Sequence, residues 1–205
     1  MDILKKYFEF SPKEEAQYLH FGQLFTEWNE KINLVSRKDI GNLYEKHVLH
    51  SLAIAAFVSF RAGSSIIDVG TGGGFPGLPL AIMFPEVQFT LIDSIGKKIK
   101  VVQDIVEQLQ LKNVTAQQIR SNEFKGKYDF VISRAVTELP KFVSETRHLI
   151  ARKDQNSIPN GILYLKGGDL KSEVAPYKKL ATLIPISDFF QEEFFQTKSL
   201  VYLSL

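Results

Sequence analysis

Ser64-Ser65-Ile66-Ile67-Asp68-Val69-Gly70-Thr71-Gly72-Gly73-Gly74-Phe75-Pro76-Gly77-Leu78-Pro79 is the stretch that organises the rest of the chain. Ile66, Ile67 and Val69 are apolar and β-branched, which suits a strand covered on both faces. The glycines at 70, 72, 73 and 74 let the backbone turn sharply and approach a ligand with no Cβ between them. Pro76 and Pro79 are excluded from a helix interior but fit its first turn, where no amide donor is required. Strand, glycine turn and helix start are therefore predicted in that order, an arrangement that favours a nucleotide-like ligand.

Which nucleotide is a question of charge. Gly72-x-Gly74-x-x-Gly77 satisfies the dinucleotide pattern G-x-G-x-x-G, a weak signal taken alone. Asp68 argues for a different ligand. It precedes the first glycine by two residues, at the carboxyl end of the strand, where open α/β sheets bind their ligands. A carboxylate there repels a pyrophosphate and favours a cation. S-adenosylmethionine carries a sulfonium and an ammonium and has no phosphate. Asp68-x-Gly70-x-Gly72-x-Gly74 resembles the cofactor loop of the class I methyltransferases, and on this reading Asp68, Gly70, Gly72 and Gly74 bind the cofactor. The bland alternative, a tight turn with no ligand, leaves four clustered glycines without a reason.

Composition narrows the remaining classes. With 205 residues, 44% hydrophobic and 12% aromatic, the chain can bury a substantial core. A net charge of +2 gives no global argument for a nucleic-acid partner, so any such contact must come from local patches. The absence of cysteine excludes disulfides and thiolate metal sites. No apolar stretch follows Met1-Asp2-Ile3-Leu4-Lys5-Lys6, and the longest apolar run, Leu52 to Val58, is far short of the roughly 20 residues needed to span a bilayer. The expectation is a soluble, cytoplasmic monomer without metal.

Along the chain, residues 1–62 read as a helical extension and 63–205 as a strand–helix domain. Ser11, Pro12 and Glu14-Glu15 form a helix-start signature, and Asn29 to Asn33 are expected to loosen that helix. Further helices are expected from Asp39 through Lys46 and through Leu49 to Phe60. From Ser64 strands alternate with helices, which implies a parallel sheet with right-handed crossovers. Strands are predicted at Val87–Asp93, Val114–Ile119, Tyr128–Ser133 and Gly161–Lys166. The last two strand-like runs, Leu180–Ser187 and Ser199–Leu205, are joined by a short aromatic connection and so are expected to pair antiparallel.

Three polar clusters are predicted on the same sheet edge. Asp93 ends the second strand, where a doubly wound domain places an acid for ribose hydroxyls; capping the next helix is the competing role. Arg134, in Ser133-Arg134-Ala135, suits a hydrogen-bond acceptor edge or a phosphate. Lys166 would meet substrate phosphate or pair with Asp169, and the sequence leaves both open. Arg37-Lys38 would supply a nucleic-acid contact or a solvated turn. His47 and His50 share a helical face, but with no third ligand they make no metal site.

Several stretches together resemble the bacterial RsmG/GidB family of 16S ribosomal RNA guanine-N7 methyltransferases. They are Trp28-Asn29 with Asn33-Leu34-Val35-Ser36, Glu45-Lys46-His47 through Ser51-Leu52, Asp68 through Gly77, Leu91-Ile92-Asp93-Ser94-x-Gly96-Lys97-Lys98, and Ile132-Ser133-Arg134-Ala135. The resemblance covers roughly Phe25 to Lys166. It implies a class I S-adenosylmethionine-dependent, Rossmann-like fold: a mainly parallel seven-stranded sheet with a C-terminal antiparallel hairpin and an N-terminal helical extension. It also implies that Gly70 and Phe75 contact S-adenosylmethionine, and that Ser121 and Asn122 lie by its adenine. The family's usual Arg-Ala-Glu-Glu appears here as Arg120-Ser121-Asn122-Glu123, so Asn122 replaces an acid; His50 replaces another. Arg134 would face both the methyl donor and the incoming guanine, as the catalytic residue. The partner implied is 16S ribosomal RNA or the small ribosomal subunit. The competing classes are a nicotinamide-dependent oxidoreductase, on the Gly72-x-Gly74-x-x-Gly77 pattern, and a non-catalytic RNA-binding or assembly factor.

Overall fold

Seven strands alternate with helices after residue 64: β1 (Ser65–Val69), β2 (Gln88–Asp93), β3 (Val114–Gln118), β4 (Phe130–Arg134), β5 (Gly161–Gly167), β6 (Ala181–Pro185) and β7 (Lys198–Ser204). This is a computed structural model, and it describes residues 1–36 and 38–205. Among the described residues the strands form one sheet in the order β3-β2-β1-β4-β5-β7-β6. β1 to β5 run parallel, β7 pairs antiparallel with β5 from Gly161↔Ser204 to Gly167↔Lys198, and β6 pairs antiparallel with β7. The C-terminal hairpin is therefore as predicted. β1 pairs with both β2 and β4, so the strand order reverses there, and a crevice opens beyond the carboxyl ends of these strands.

The helices are α1 (Asp2–Lys5), α2 (Pro12–Ile32), α3 (His50–Phe57), α4 (Gly77–Met83), α5 (Gly96–Gln108), α6 (Leu139–Thr146) and α7 (Lys171–Val174). Ser11 caps α2 in a reciprocal box: Glu14 donates its N–H to Ser11 Oγ at 3.3 Å, and Ser11 donates its own to the Glu14 carboxylate at 2.7 Å. Contrary to expectation, α2 runs unbroken to Ile32. Asn29 is buried, and its side-chain oxygen accepts from the Val35 N–H at 2.8 Å. It pins the turn that follows instead of loosening the helix. The helix expected at Asp39–Lys46 is replaced by a 3₁₀ turn (Ile40–Asn42) and a π-helical turn (Tyr44–Leu49) that runs directly into α3.

The N-terminal helices share one apolar core with the sheet: Leu4, Phe21 and Leu49 belong to the same cluster as Ile66 and Phe89. The join is aromatic. Phe21 and Phe25 sit edge-on to Phe75, with ring centroids 5.7 and 5.0 Å away, and burying each ring stabilises the fold by about 1.5–3 kcal/mol. Tyr18 donates its hydroxyl to the Pro79 carbonyl at 2.7 Å, and Trp28 donates to Asp104 at 2.7 Å. These contacts hold α2 over the glycine turn, and Leu34 and Val35 just beyond the helix line the crevice.

Candidate functional site

The glycine turn is held from below. Gly70 and Thr71 both donate their N–H groups to the Ile92 carbonyl, at 2.9 and 3.0 Å, which ties the end of β1 to the end of β2. Asp68 is fully buried, and its Oδ2 accepts from the Thr71 hydroxyl at 2.6 Å and the Gly77 N–H at 2.8 Å. One carboxylate oxygen thus fastens both ends of the loop and caps the first turn of α4. A Cβ on Gly77 would lie 2.8 Å from that oxygen and 2.9 Å from the Leu91 side chain, so only glycine admits so close a start. Gly70 has φ of 71°, in the left-handed region that favours glycine.

Above this floor lies a cavity of about 580 Å³. Gly70, Gly72, Phe75, Asp93, Ser121, Asn122 and Arg134 line it, so most of the expected cofactor residues are brought together. Asp68 and Gly74 are not among the lining residues. Asp68 turns Oδ2 into the loop, where its Thr71 and Gly77 donors lie, and its Oδ1 is buried without a partner among the described residues. Asp93 sits at the cavity and at the turn into α5. It lines the cavity while Oδ1 accepts from the Ile95 N–H at the start of α5 and Oδ2 accepts from Gly72, each at 2.9 Å.

Lys166 lies elsewhere. It pairs with Glu173, not with Asp169, donates to the Thr137 carbonyl at 2.9 Å, and lines a second, adjoining cavity. Arg37 lies outside the described residues. Arg134 stands between the two cavities and lines both. Its guanidinium carbon is 4.9 Å from the centre of the Phe75 ring, and one N–H donates to the Lys46 carbonyl at 3.4 Å. Burial pulls the guanidinium down to about 10, partly offset by Asp68, and leaves it charged at neutral pH.

Two parts of the wall carried no sequence signal. Glu145 reaches the cavity from α6, and Val136 lines it just beyond Ala135, which has φ of 50°. That turn is fixed by Tyr164 on β5, whose hydroxyl accepts from the Val136 and Thr137 N–H groups at 2.9 and 2.8 Å and donates to the Thr137 carbonyl at 2.7 Å. Among the described residues no cluster of His, Cys, Asp and Glu has the makings of a metal site. No described helix is long and apolar enough to cross a membrane.

The buried carboxylate has a consequence for stability. Burial pushes the Asp68 carboxyl from 3.8 up to about 7, against the opposing pull of its two hydrogen bonds. The folded state therefore holds the proton over that interval, and the associated stability is present below 3.8 and lost as pH rises to about 7. His47 acts in the opposite sense. Burial holds its ring down to about 3 from 6.5, so acidification below 6.5 disfavours the fold. Asp68→Asn removes only the first effect. Denaturation midpoints of parent and variant, measured across this range, are expected to converge at the acid end and separate toward neutrality, with the parent losing ground. Parallel curves would show that Asp68 ionises normally.

Comparison with known proteins gives a consistent assignment. The family described as rRNA small subunit methyltransferase G matches residues 14–200. A Bacteroides fragilis protein named ribosomal RNA small subunit methyltransferase G is 49% identical, over 100% of both chains. A Flavobacterium johnsoniae protein of the same name is 52% identical over 100% of this chain and 98% of its own. Among solved structures, a SAM-dependent methyltransferase from Aquifex aeolicus superposes with a TM-score of 0.58 at 16% identity, covering 78% of this chain and 91% of that one. A precorrin-6y C5,15-methyltransferase from Geobacter metallireducens gives 0.56 at 9% identity, covering 85% and 92%. At such identities the structural likeness speaks for the fold alone.

Proposed function

This chain belongs to the rRNA small subunit methyltransferase G family and is an S-adenosylmethionine-dependent methyltransferase, and from that premise we propose that it methylates N7 of a guanine in the decoding region of 16S ribosomal RNA. The observation that carries the cofactor's placement is the Asp68–Gly77 hydrogen bond. A dinucleotide's pyrophosphate would use the N-terminus of α4, and that N-terminus is already capped by a carboxylate. What lines the cavity there is main chain at Gly70 and Gly72, whose N–H groups are already engaged, together with the Asp93 carboxylate. These residues fit S-adenosylmethionine. Asp93 would accept from its ribose hydroxyls, Ser121 and Asn122 would meet the adenine, and the turn from Gly70 to Phe75 would hold the methionine end. When bound, this cofactor supplies a methyl group already activated as a sulfonium.

The protein's own work is then positional. N7 of guanine carries a free lone pair, so no residue has to remove a proton. What is required is alignment of the acceptor and exclusion of water. Arg134 would serve the first task. It lies over the Phe75 ring, and one of the five donors of its fork is engaged by the described residues. An arginine usually grips both O6 and N7 of guanine. Here N7 must stay free to react, so Arg134 would hold O6. The guanine leaves its stack to reach this depth, as base-modifying enzymes generally require.

Nucleoside mass spectrometry of small-subunit RNA from cells with and without the protein tests this. The expected result is one 7-methylguanosine lost from 16S RNA on deletion and restored by adding purified protein and S-adenosylmethionine to the extracted subunits or RNA. Unchanged 7-methylguanosine would exclude this target.

A further inference from the structure

The second cavity has about 230 Å³ and adjoins the first across Arg134 and Ala135, which line both. Four cations line it, Lys46, Arg134, Lys166 and Lys198, against one carboxylate, Asp39. Lys46 is paired with Asp39 at 3.2 Å and Lys166 with Glu173. Lys198 has no carboxylate partner among the described residues, and its ammonium sits 4.8 Å from the centre of the Phe194 ring. That ring is set edge-on to His50 and Phe195, at 5.6 and 5.2 Å, and is half-buried at the cavity wall.

The histidines supply the second feature. Both ring nitrogens of His47 and Nε2 of His50 are buried without a hydrogen-bond partner among the described residues. An unpaired buried polar atom costs about 1–3 kcal/mol, and the three lie on residues of one cavity wall. A ligand with a polar edge would pair them once the rings turned toward the cavity. The Phe194 face is covered by the ammoniums of Lys198 and Lys46, the latter at 5.8 Å. With Lys198 drawn from the ring to a phosphate, the freed face, the unpaired ring nitrogens and the ammonium together match the face, edge and phosphate of one nucleotide.

We propose that this second cavity seats the acceptor nucleotide of the RNA, its base against Phe194 with its polar edge toward His47 and His50, and its phosphate on Lys198. This rests on the methyltransferase reading above. It assigns Phe194, Lys198, His47 and His50 to substrate binding and separates them from the cofactor residues. The shared Arg134 then stands where the two ligands meet.

Guanosine 5′-monophosphate titrated into the full chain, with the ring signals of its four histidines followed by NMR, tests the seat directly. His47 and His50 are expected to shift while the exposed His20 and His148 hold. In methylation assays Lys198→Ala is expected to raise the KM for small-subunit RNA about tenfold and to lower the salt slope of RNA binding by about one, with the S-adenosylmethionine Kd unchanged. A merely structural lysine would not alter the salt slope. Phe194→Leu is expected to reduce kcat/KM by roughly tenfold or more through lost stacking; if it fails to fold, Lys198→Ala still decides. Unmoved His47 and His50 signals, or parental KM and salt slope in Lys198→Ala, would overturn the proposal. If the parent leaves 16S RNA unmethylated while the nucleotide still shifts both rings, the target assignment falls and the nucleotide seat stands.

Discussion

Asp68→Ala is expected to raise the calorimetric Kd for S-adenosylmethionine by roughly a hundredfold, although this side chain touches no part of the cavity. The variant loses two hydrogen bonds to a buried carboxylate, each worth about 1.5–3 kcal/mol when the acceptor is charged. With them goes the fastening of both loop ends. Binding must then order residues that the parent holds in place beforehand, at about 1–2 kcal/mol of backbone entropy per residue. Global stability should fall by less than the affinity does, because at neutral pH alanine also relieves the burial of a charge whose carboxyl is pushed up to about 7. Asp68→Asn should recover part of the affinity, since its amide oxygen can still accept from Gly77. An unchanged Kd in Asp68→Ala would show that the loop holds its shape without the carboxylate.

The same residue shows what a sequence does and does not disclose. Spacing alone placed Asp68 at the end of a buried strand before a glycine turn, and β1 with its loop stands there. The direction of its side chain depends on the Thr71 hydroxyl and the Gly77 N–H, three and nine residues on, which meet only once the turn has closed. Asp93 and Arg134 were legible because each closes a strand, and the parallel sheet brings those ends to one edge; Ser121 and Asn122 came from the family resemblance alone. Glu145 and Tyr164 were not, since the one sits in a helix and the other within β5, and both are placed by packing. Asn29 misled for a related reason: a poor helix residue stays helical when a buried backbone N–H awaits its oxygen. His47 and His50 were visible as a pair on one helical face, with His50 standing where the family carries an acid. Their unpaired nitrogens emerge only when the π-helical turn and the C-terminal aromatic segment pack together.

Arg134→Ala is expected to lower the single-turnover rate of methyl transfer by about 10²–10³ at saturating cofactor, the range seen when one preorganised donor or its alignment is lost. The S-adenosylmethionine Kd should change far less, because the cofactor residues proposed at Gly70, Asp93, Ser121 and Asn122 stay in place. Charge and geometry make opposite demands on this arginine. Methylation at N7 leaves a cationic base, and a guanidinium near N7 would oppose that charge as it develops. Seated over Phe75 with its centre 4.9 Å from the ring, and tied to the Lys46 carbonyl, the guanidinium would offer its free donors to O6 and leave the N7 lone pair unbonded. Repulsion then grows through transfer and is greatest in the product, which favours release of the methylated base. Arg134→Gln separates the two effects by keeping a neutral donor and removing the charge. It should transfer methyl faster than Arg134→Ala, yet release product more slowly than the parent, a difference that pre-steady-state burst measurements resolve. If Arg134→Ala weakens cofactor binding and leaves the saturated single-turnover rate at the parental value, Arg134 belongs to the donor's site and has no part in aligning the acceptor.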